Sequence, residues 1–479
     1  MLRIIVYALL LLFTINNSQA NQVISLEDVV RSVLNSNLEI DKQQTLVDQS
    51  NAVAQQASAQ FDWNLAAEGG VKRPRVPSTS PEGYLTNETE FNYVSKITVG
   101  MQKQFRNGVT IAPGGSYSRN LNDNRSEVLA DSVTAPSIAV TIPLLRGRGT
   151  KATTATEQAA KQTQKASELK RDRATAKIIV NATRQYWQSI AAKRNLEAEQ
   201  KAGKEAAAIT ETLKKLSEQG ELSILEYQSS VANLNLRRLK IEKSAATWNS
   251  TRRKLARLIE SSHRIKNLPV SDNQFPNFGV ETDLILDENL LIDIAFEQRR
   301  DLLALQRNLQ SKRLNLVKSR NEMQPKLDLN LDLDKITLSY AQSLGRNLSK
   351  GRKRASTAEL KAQEIEVQML KQSISDEVYE TVENLQLSFK SYKRAHKAYR
   401  LLDQIANTTR DKVAQGTVAR NEYLSALDKL SEVEQIINAA SVDYATTLAK
   451  LRLATGTLPI GSEKLQETLK RLLTVPTNG

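Results

Sequence analysis

The sequence predicts an α+β protein in which one arrangement of helices and strands occurs twice, and two observations carry this. Residues 29–65 and 291–327 follow one pattern in one register at an offset of 262, aligning Val33/Ala295, Leu34/Phe296, Glu39/Asp301, Ile40/Leu302 and Leu65/Leu327. A second pair, QGELSILEY (219–227) and QGTVARNEY (415–423), is offset by 196 and aligns Gly220/Gly416, Glu226/Glu422 and Tyr227/Tyr423. Each half reads helix, strand-rich insert, very long helix, Gly turn, very long helix. A duplication of that kind builds a tube or a wall rather than a catalytic cleft.

The N-terminus, Met1–Ala20, has one early positive charge (Arg3), an apolar run from Ile4 to Phe13 and a small-residue exit at Ser18-Gln19-Ala20. This is the pattern of a secretory signal peptide cleaved after Ala20, because the run is well short of the ~20 apolar residues of a membrane helix. No later segment is apolar for long enough to be such a helix. A mature chain that enters a membrane must therefore do so as strands of a closed barrel. The absence of cysteine excludes disulfides, thiol catalysis, a Cys-based metal site and an N-terminal lipid anchor. Only 40% of residues are hydrophobic and 5% aromatic, which suits long helices with wet faces better than compact globules. The formal charge of +14 is spread along the helices, and an exported chain meets no duplex, so nucleic acid is not a predicted partner.

The elements follow in order. After the signal peptide, 21–60 is a first helix, ending near Gln60. The first β insert, 61–148, contains Tyr93–Met101, whose apolar face falls mostly at odd positions, then the Asn107-Gly108 hairpin turn and renewed alternation at Val109/Ile111. Residues 93–118 are either additional strands or an external hairpin. Ser137–Leu144 alternates again. The span 149–260 is a long helical hairpin: from Lys151 to Gln219 there is no proline and one glycine, Gly203, and from Glu221 to Leu268 there is neither. At ~1.5 Å per residue such helices extend on the order of 60–100 Å, so they pack lengthwise. Two of their apolar rows are Ile179/Ala182/Tyr186/Ile190 and Leu424/Leu427/Leu430/Val433/Ile436/Ile437, the second a coiled-coil seam. A linker or equatorial region (261–286, with Pro269 and Pro276) leads to the helix of the second half, 287–324. The shortened second β insert, 325–346, has room for one hairpin, Leu327–Leu333 and Ile336–Tyr340. Its leucines lie on one face and Asp328, Asn330 and Asp332 on the other. In a soluble sheet the polar face meets solvent; in a barrel it lines the lumen. A second long hairpin, 347–458, and a tail, 459–479, complete the chain.

This arrangement resembles the TolC-like outer membrane efflux proteins over essentially the whole mature chain. The residues that carry the resemblance are Ser25-Leu26-Glu27-Asp28-Val29-Val30 with Asn35-Ser36-Asn37-Leu38-Glu39-Ile40, and the echo Glu297-Gln298-Arg299-Arg300-Asp301-Leu302. Others are Phe61-Asp62-Trp63, Ile142-Pro143-Leu144-Leu145-Arg146-Gly147-Arg148-Gly149, Gln324-Pro325-Lys326-Leu327, the two Gly turns and Ala454-Thr455-Gly456-Thr457-Leu458. The resemblance implies a homotrimer in which each protomer gives four strands to one 12-stranded outer membrane barrel and paired helices to a periplasmic α-helical barrel. It implies no enzyme activity and no cofactor. Its partners are a periplasmic adaptor, an inner-membrane transporter reached through that adaptor, and outer membrane lipid. Efflux and type I secretion are the corresponding roles, with substrates passing through the bore without any bond being made.

Carried onto this sequence, Gly220, Glu221, Leu222, Ser223 and Gly416, Thr417, Val418, Ala419 fall at the tips that meet the adaptor. An Arg that helps close the mouth in such proteins is replaced by Val418, leaving Arg420 and Glu422 as candidates for a periplasmic gate. Asp328, Asn330 and Asp332 are candidates for lining the lumen. Arg146, Arg148 and Lys151, with Lys350, Arg352, Lys353 and Arg354, are candidates for a girdle on lipid phosphates. A cation near an anionic surface gains ~1 kcal/mol, whereas at a helix start it opposes the dipole.

No catalytic or metal constellation appears. His263 and His396 lie in separate segments, and Gly100, Gly108, Gly114 and Gly115 form no phosphate-binding loop. Phe61 and Trp63 fit an interfacial aromatic girdle or a core; Trp187 and Trp248 fit packing. The predicted function is an outer membrane channel subunit. The rival from another class is a periplasmic coiled-coil scaffold whose inserts form a soluble sheet.

Overall fold

A computed structural model describes residues 23–73, 75–79, 85–122, 131–259, 269–272, 275, 286–415 and 420–476. The expected signal peptide, His263 and the tip residues Gly416, Thr417, Val418 and Ala419 lie outside these. The chain divides into two compact units, one comprising 1–45, 169–303 and 370–479, the other 46–168 and 304–369.

The first unit is helical, and the helices over 38–58, 155–218, 300–321 and 347–414 have residues in both units. Helix α1 (Leu26–Ser36) opens with a capping box at Ser25 and Asp28 and breaks at Asn37 before α2 (Leu38–Ser58). The long helices α4 (Ala155–Glu218) and α5 (Ile224–Ile259) come later, after the short α3 (Thr150–Thr153). Helix α6 (Glu288–Gln298) is capped by Asp287 and breaks at Arg299 before α7 (Arg300–Asn321). The two breaks share an extended backbone, φ −83°, ψ 118° at Asn37 and φ −66°, ψ 117° at Arg299. Then follow α8 (Asn347–Ala414), α9 (Arg420–Thr455) and the short α10 (Leu465–Leu472). A parallel pairing of β1 (Val23–Ile24) with β7 (Val270–Ser271) belongs to this unit.

Its core includes Ile179, Tyr186, Trp187, Ile190, Leu302, Ile374, Leu385, Leu448 and Leu451. The expected row Ile179/Ala182/Tyr186/Ile190 is thus buried throughout. The expected seam of α9 needs correction: Ile436 is exposed, and the buried line runs from Leu424 and Leu427 through Ser431 and Asn438. Polar partners on α4 are the reason. Ser431 donates to Glu199 at 2.9 Å and Asn438 to Asn195 at 2.7 Å. Arg237 of α5 meets the same Glu199 at 3.3 Å, both side chains being buried. Arg452 anchors the C-terminal segment by donating to the carbonyls of Arg471, Thr474 and Val475. Burial, then the charge of Arg471, pushes its pKa down to about 10.

The second unit is built on an antiparallel sheet: β2 (Asn64–Lys72), β3 (Arg75–Thr79), β4 (Leu85–Gln104), β5 (Thr110–Asn122), β6 (Asp131–Pro143), β8 (Lys326–Leu331) and β9 (Ile336–Ala341). It has seven strands in the order β2-β4-β5-β6-β8-β9, with β3 also on β4. The four strands implied per protomer are therefore exceeded among the described residues. Residues 93–118 belong to this sheet. They are not an external hairpin but the inner parts of β4 and β5, paired from Gln104↔Thr110 outward. Gly108 turns the chain at φ +100°, and a Cβ there would stand 2.2 Å from the carbonyl oxygen of Gly147.

Candidate functional site

The sheet has two chemically distinct faces, and its register shows which residues share each. Leu65, Ala67 and Gly69 stand opposite Met101, Val99 and Ile97. The same face continues through Tyr117 and Ile111 of β5 to Ile138 and Val140 of β6. It ends on Leu327, Leu329 and Leu331 of β8 with Tyr340, Leu338 and Ile336 of β9. This face is uncovered: Leu65 is 70% exposed, Ile97 55%, Leu338 64% and Ile336 74%. Burying such side chains is worth about 1.5–3 kcal/mol each, so a wall of them left open to water is strongly unfavourable. Lys103 and Arg119 interrupt the face only near strand ends, where a long stem reaches out of an apolar layer.

The opposite face carries Glu68, Lys96, Thr98, Gln102, Ser116, Ser118, Thr141, Asn330 and Ser339, with Val133 as an apolar exception. Of the residues expected to line a lumen, Asp328 and Asn330 stand on this polar face. Asn330 accepts from Thr141 at 3.0 Å and donates to Ser339 at 3.2 Å. Asp328 is buried and paired with Lys326 at 3.2 Å. Asp332 lies beyond β8, in the turn, 3.8 Å from Lys335.

Where sheet gives way to helix, Glu157 in the first turn of α4 is almost fully buried. Arg106 donates to it twice, and Lys161 and Ser58 donate at 2.9 and 3.2 Å. The hydrogen bonds of Arg106 are the main cause that lowers its carboxyl to about 2, with Lys161 assisting against burial. Arg106 also lies over the ring of buried Phe61 at 4.8 Å, while half-exposed Trp63 has Lys103 over its ring at 5.5 Å. Phe61 is thus a core aromatic and Trp63 a surface one. The girdle candidates Arg146, Arg148, Lys151, Lys350, Arg352, Lys353 and Arg354 are all exposed, and Arg352 meets Glu322 at 3.1 Å.

The first helix tip is a Schellman closure. Gly220 adopts φ +77°, its N–H donates to Ser217 at 3.1 Å, and the Glu221 N–H reaches Leu216 at 3.0 Å. Ser223 then caps α5 by accepting from the Leu225 N–H at 3.3 Å. The turn presents Glu221 and Ser223 to solvent, with Leu222 half-buried and Ile224 and Leu225 58% and 71% exposed. Of the gate candidates, Arg420 is half-buried and Glu422 exposed, both in the first turn of α9.

The echo block Glu297–Leu302 closes on the Ala454–Leu458 motif. Arg299 is buried, forks onto Asp301 at 3.1 and 2.7 Å and donates to the carbonyl of Ala454 at 3.3 Å. Burial pushes the Asp301 carboxyl up, but the Arg299 hydrogen bond and the Arg173 charge outweigh it and hold it low. Gly456, at φ +72°, leaves no room for a Cβ, which would lie 2.8 Å from the Arg299 nitrogen. His396 packs edge-on against Tyr392. Among the described residues no three His, Cys, Asp or Glu side chains gather as a metal site, and no helix is long and apolar enough to cross a membrane. Sequence reasoning missed Arg106–Glu157 and Arg299. The first joins positions 51 apart with no motif, while the second had a signal in its place inside the echo block.

No protein-family model matches the chain, and no curated protein matches it in sequence. Solved structures do. The Campylobacter jejuni CmeC outer membrane channel aligns with a TM-score of 0.68 at 15% identity, over 94% of this chain and 89% of that one. The outer membrane protein VceC from Vibrio cholerae aligns at 0.65 and 12% identity, over 90% and 96%. The open state of the Neisseria gonorrhoeae MtrE outer membrane channel aligns at 0.62 and 16% identity, over 90% and 88%. At these identities the likeness establishes the fold, and the resemblance read from the sequence holds at that level.

Proposed function

We propose that the protein is the outer membrane channel subunit of a tripartite efflux or type I secretion system, and that it is not an enzyme. The observation that carries this reading is the continuous, exposed apolar face of the sheet, backed by a polar one. Lipid is the surrounding that makes the first face favourable, and a watered bore is what the second suits. Strands β2, β4, β5 and β6 have 9, 20, 13 and 13 residues, against 6 in each of β8 and β9. A tilted membrane strand needs about 9–11. The four long strands of each copy are the spanning ones, and three copies supply the twelve that the resemblance implies; β8 and β9 extend the sheet beside the helices.

In this reading the protein is a homotrimer of the outer membrane and periplasm, arising from a chain exported by its signal peptide and duplicated in its two halves. Gly220–Ser223 and Gly416–Ala419 meet a periplasmic adaptor, which links the channel to an inner-membrane transporter. Arg420 and Glu422 lie where the mouth is gated. Asp328, Asn330 and Asp332 stand at the base of the lumen, the two carboxylates beside Lys326 and Lys335, and the exposed basic residues at the strand–helix joints meet lipid phosphates. Substrates pass passively.

Single-channel recording of the purified protein in planar bilayers, beside its mass by light scattering, tests the reading. Steady pores from a trimer are the expected result. A soluble monomer or dimer in the periplasmic fraction overturns it in favour of a scaffold.

A further inference from the structure

The segment leaving β6, the residues entering β8 and the stretch from β9 into α8 line a half-open cavity of about 180 Å³. Its lining includes Arg146, Glu322, Gln342, Arg346, Ser349 and Arg352. Three arginines thus face one carboxylate, and that carboxylate is already engaged: Arg352 donates to Glu322 at 3.1 Å. Gln342 and Ser349 are neutral and add no negative charge to the wall. Two guanidinium charges of the lining remain without a carboxylate in the cavity wall.

Arg346 is also the one non-glycine residue with a positive φ, 51°, among the described residues. Glycine adopts that backbone without cost. An arginine there, half-buried and lining a cavity, is explained by what its side chain does rather than by the turn itself. The volume lies below the ~300–1,000 Å³ of pockets for drug-sized ligands. It suits a compact anion, and guanidinium forks match tetrahedral oxyanions in both charge and geometry.

We infer that this cavity binds a phosphate group. The chemistry fits either free inorganic phosphate or the phosphoryl oxygens of an anionic phospholipid headgroup. The site differs from the general basic girdle: it adds Arg346 and leaves out Arg148, Lys151, Lys350, Lys353 and Arg354. It does not depend on the channel reading, because binding is measured without conductance.

The test uses the full-length protein in neutral detergent. Equilibrium dialysis against radiolabelled inorganic phosphate, at ionic strength held constant with chloride, is run beside native mass spectrometry from nanodiscs of mixed phosphatidylglycerol and phosphatidylcholine. One saturable site per chain is expected. Arg146→Gln and Arg346→Gly, the latter easing the backbone, each weaken it by about tenfold or more, as loss of a charge-assisted fork should. The pair Arg253→Gln and Lys254→Gln, exposed and outside both the cavity and the basic girdle, leaves it unchanged. Retention of phosphatidylglycerol without phosphate binding assigns the site to a headgroup; binding of both assigns it to the phosphate group itself. Absence of saturable binding in both arms overturns the proposal. So does equal weakening by the Arg253→Gln/Lys254→Gln pair, which marks general surface charge.

Discussion

Arg106 grips Glu157 with two hydrogen bonds, Nε to Oε2 at 3.1 Å and Nη2 to Oε1 at 3.0 Å, tying the β4–β5 turn to the first turn of α4. The Glu157 carboxyl titrates at about 2 in the fold, against an ordinary 4.5. Because its folded pKa is depressed, its stabilisation is complete above about pH 4.5 and disappears as pH falls through about 2. Allowing for solvent around the exposed Arg106, the contribution is about 2 kcal/mol. Glu157→Gln is expected to lower the thermal midpoint at pH 7. The gap from the wild type should close between pH 4.5 and 2; a constant gap would show that charge is not the source.

Neighbouring residues on β4 separate the two faces. Ile97→Arg places a cation on the apolar face and Thr98→Arg places one on the polar face. An arginine facing lipid costs roughly 2–4 kcal/mol at mid-depth and less near the interfaces. Ile97→Arg should therefore reduce the heat-modifiable, membrane-integrated protein. Thr98→Arg should leave assembly intact and shift the reversal potential toward anions. Equal loss of assembly in both variants would mean that the faces are not distinguished by lipid.

Two glycines with similar backbones separate conformational cost from crowding. Gly220 (φ +77°) is open on every side, whereas Gly456 (φ +72°) abuts the backbone of Gln298 and Arg299. Gly220→Ala is expected to cost about 1 kcal/mol, the ordinary left-handed penalty. Gly456→Ala must in addition push the backbone of Gln298 and Arg299 away, and its thermal midpoint should fall several degrees further. Equal midpoints would count against the tight junction.

Leu225 is 71% exposed beside the capped turn at Gly220–Ser223. If the proposed adaptor docks here, Leu225→Asp is expected to keep the helical circular dichroism and the conductance of the purified protein while losing co-purification with that adaptor. Undiminished adaptor capture would place the docking surface elsewhere.

Arg237 and Glu199 form a buried pair reinforced by Ser431 and Gln435. Removing one member of such a pair costs roughly 3–5 kcal/mol, because the other charge is left stranded. Arg237→Met should thus destabilise more than the double change Arg237→Met with Glu199→Gln, as read by denaturant midpoints.

Much of the helical frame was legible because its causes are local. Between Lys151 and Gln219, or Arg352 and Gln415, a chain without proline and almost without glycine has few alternatives to helix. Alternation marked Tyr93–Met101 and Leu327–Leu331 as two-faced strands for the same reason. What escaped was non-local. Strand count depends on which segments pair, and nothing near Val94 announces its partner Asn120. The α9 seam was misjudged at Ile436 because Ser431 and Asn438 are buried by partners on α4 that periodicity does not see. Arg106 and Glu157 looked like two charges among 67 basic and 53 acidic residues.

The sheet is a meander of sequence neighbours except where β2 pairs β4 past the short β3 and where β6 meets β8. Hairpins β4–β5, β5–β6 and β8–β9 each join strands adjacent in sequence, but Val140 of β6 meets Leu331 of β8 only after the whole of α4 and α5 has intervened. Closing so long a loop is entropically slow even when it is thermodynamically cheap. An order of folding is expected from this: hairpins assemble early from either half, and the β6–β8 seam, four residue pairs long, is stitched late, once the chain on both sides of it has been made.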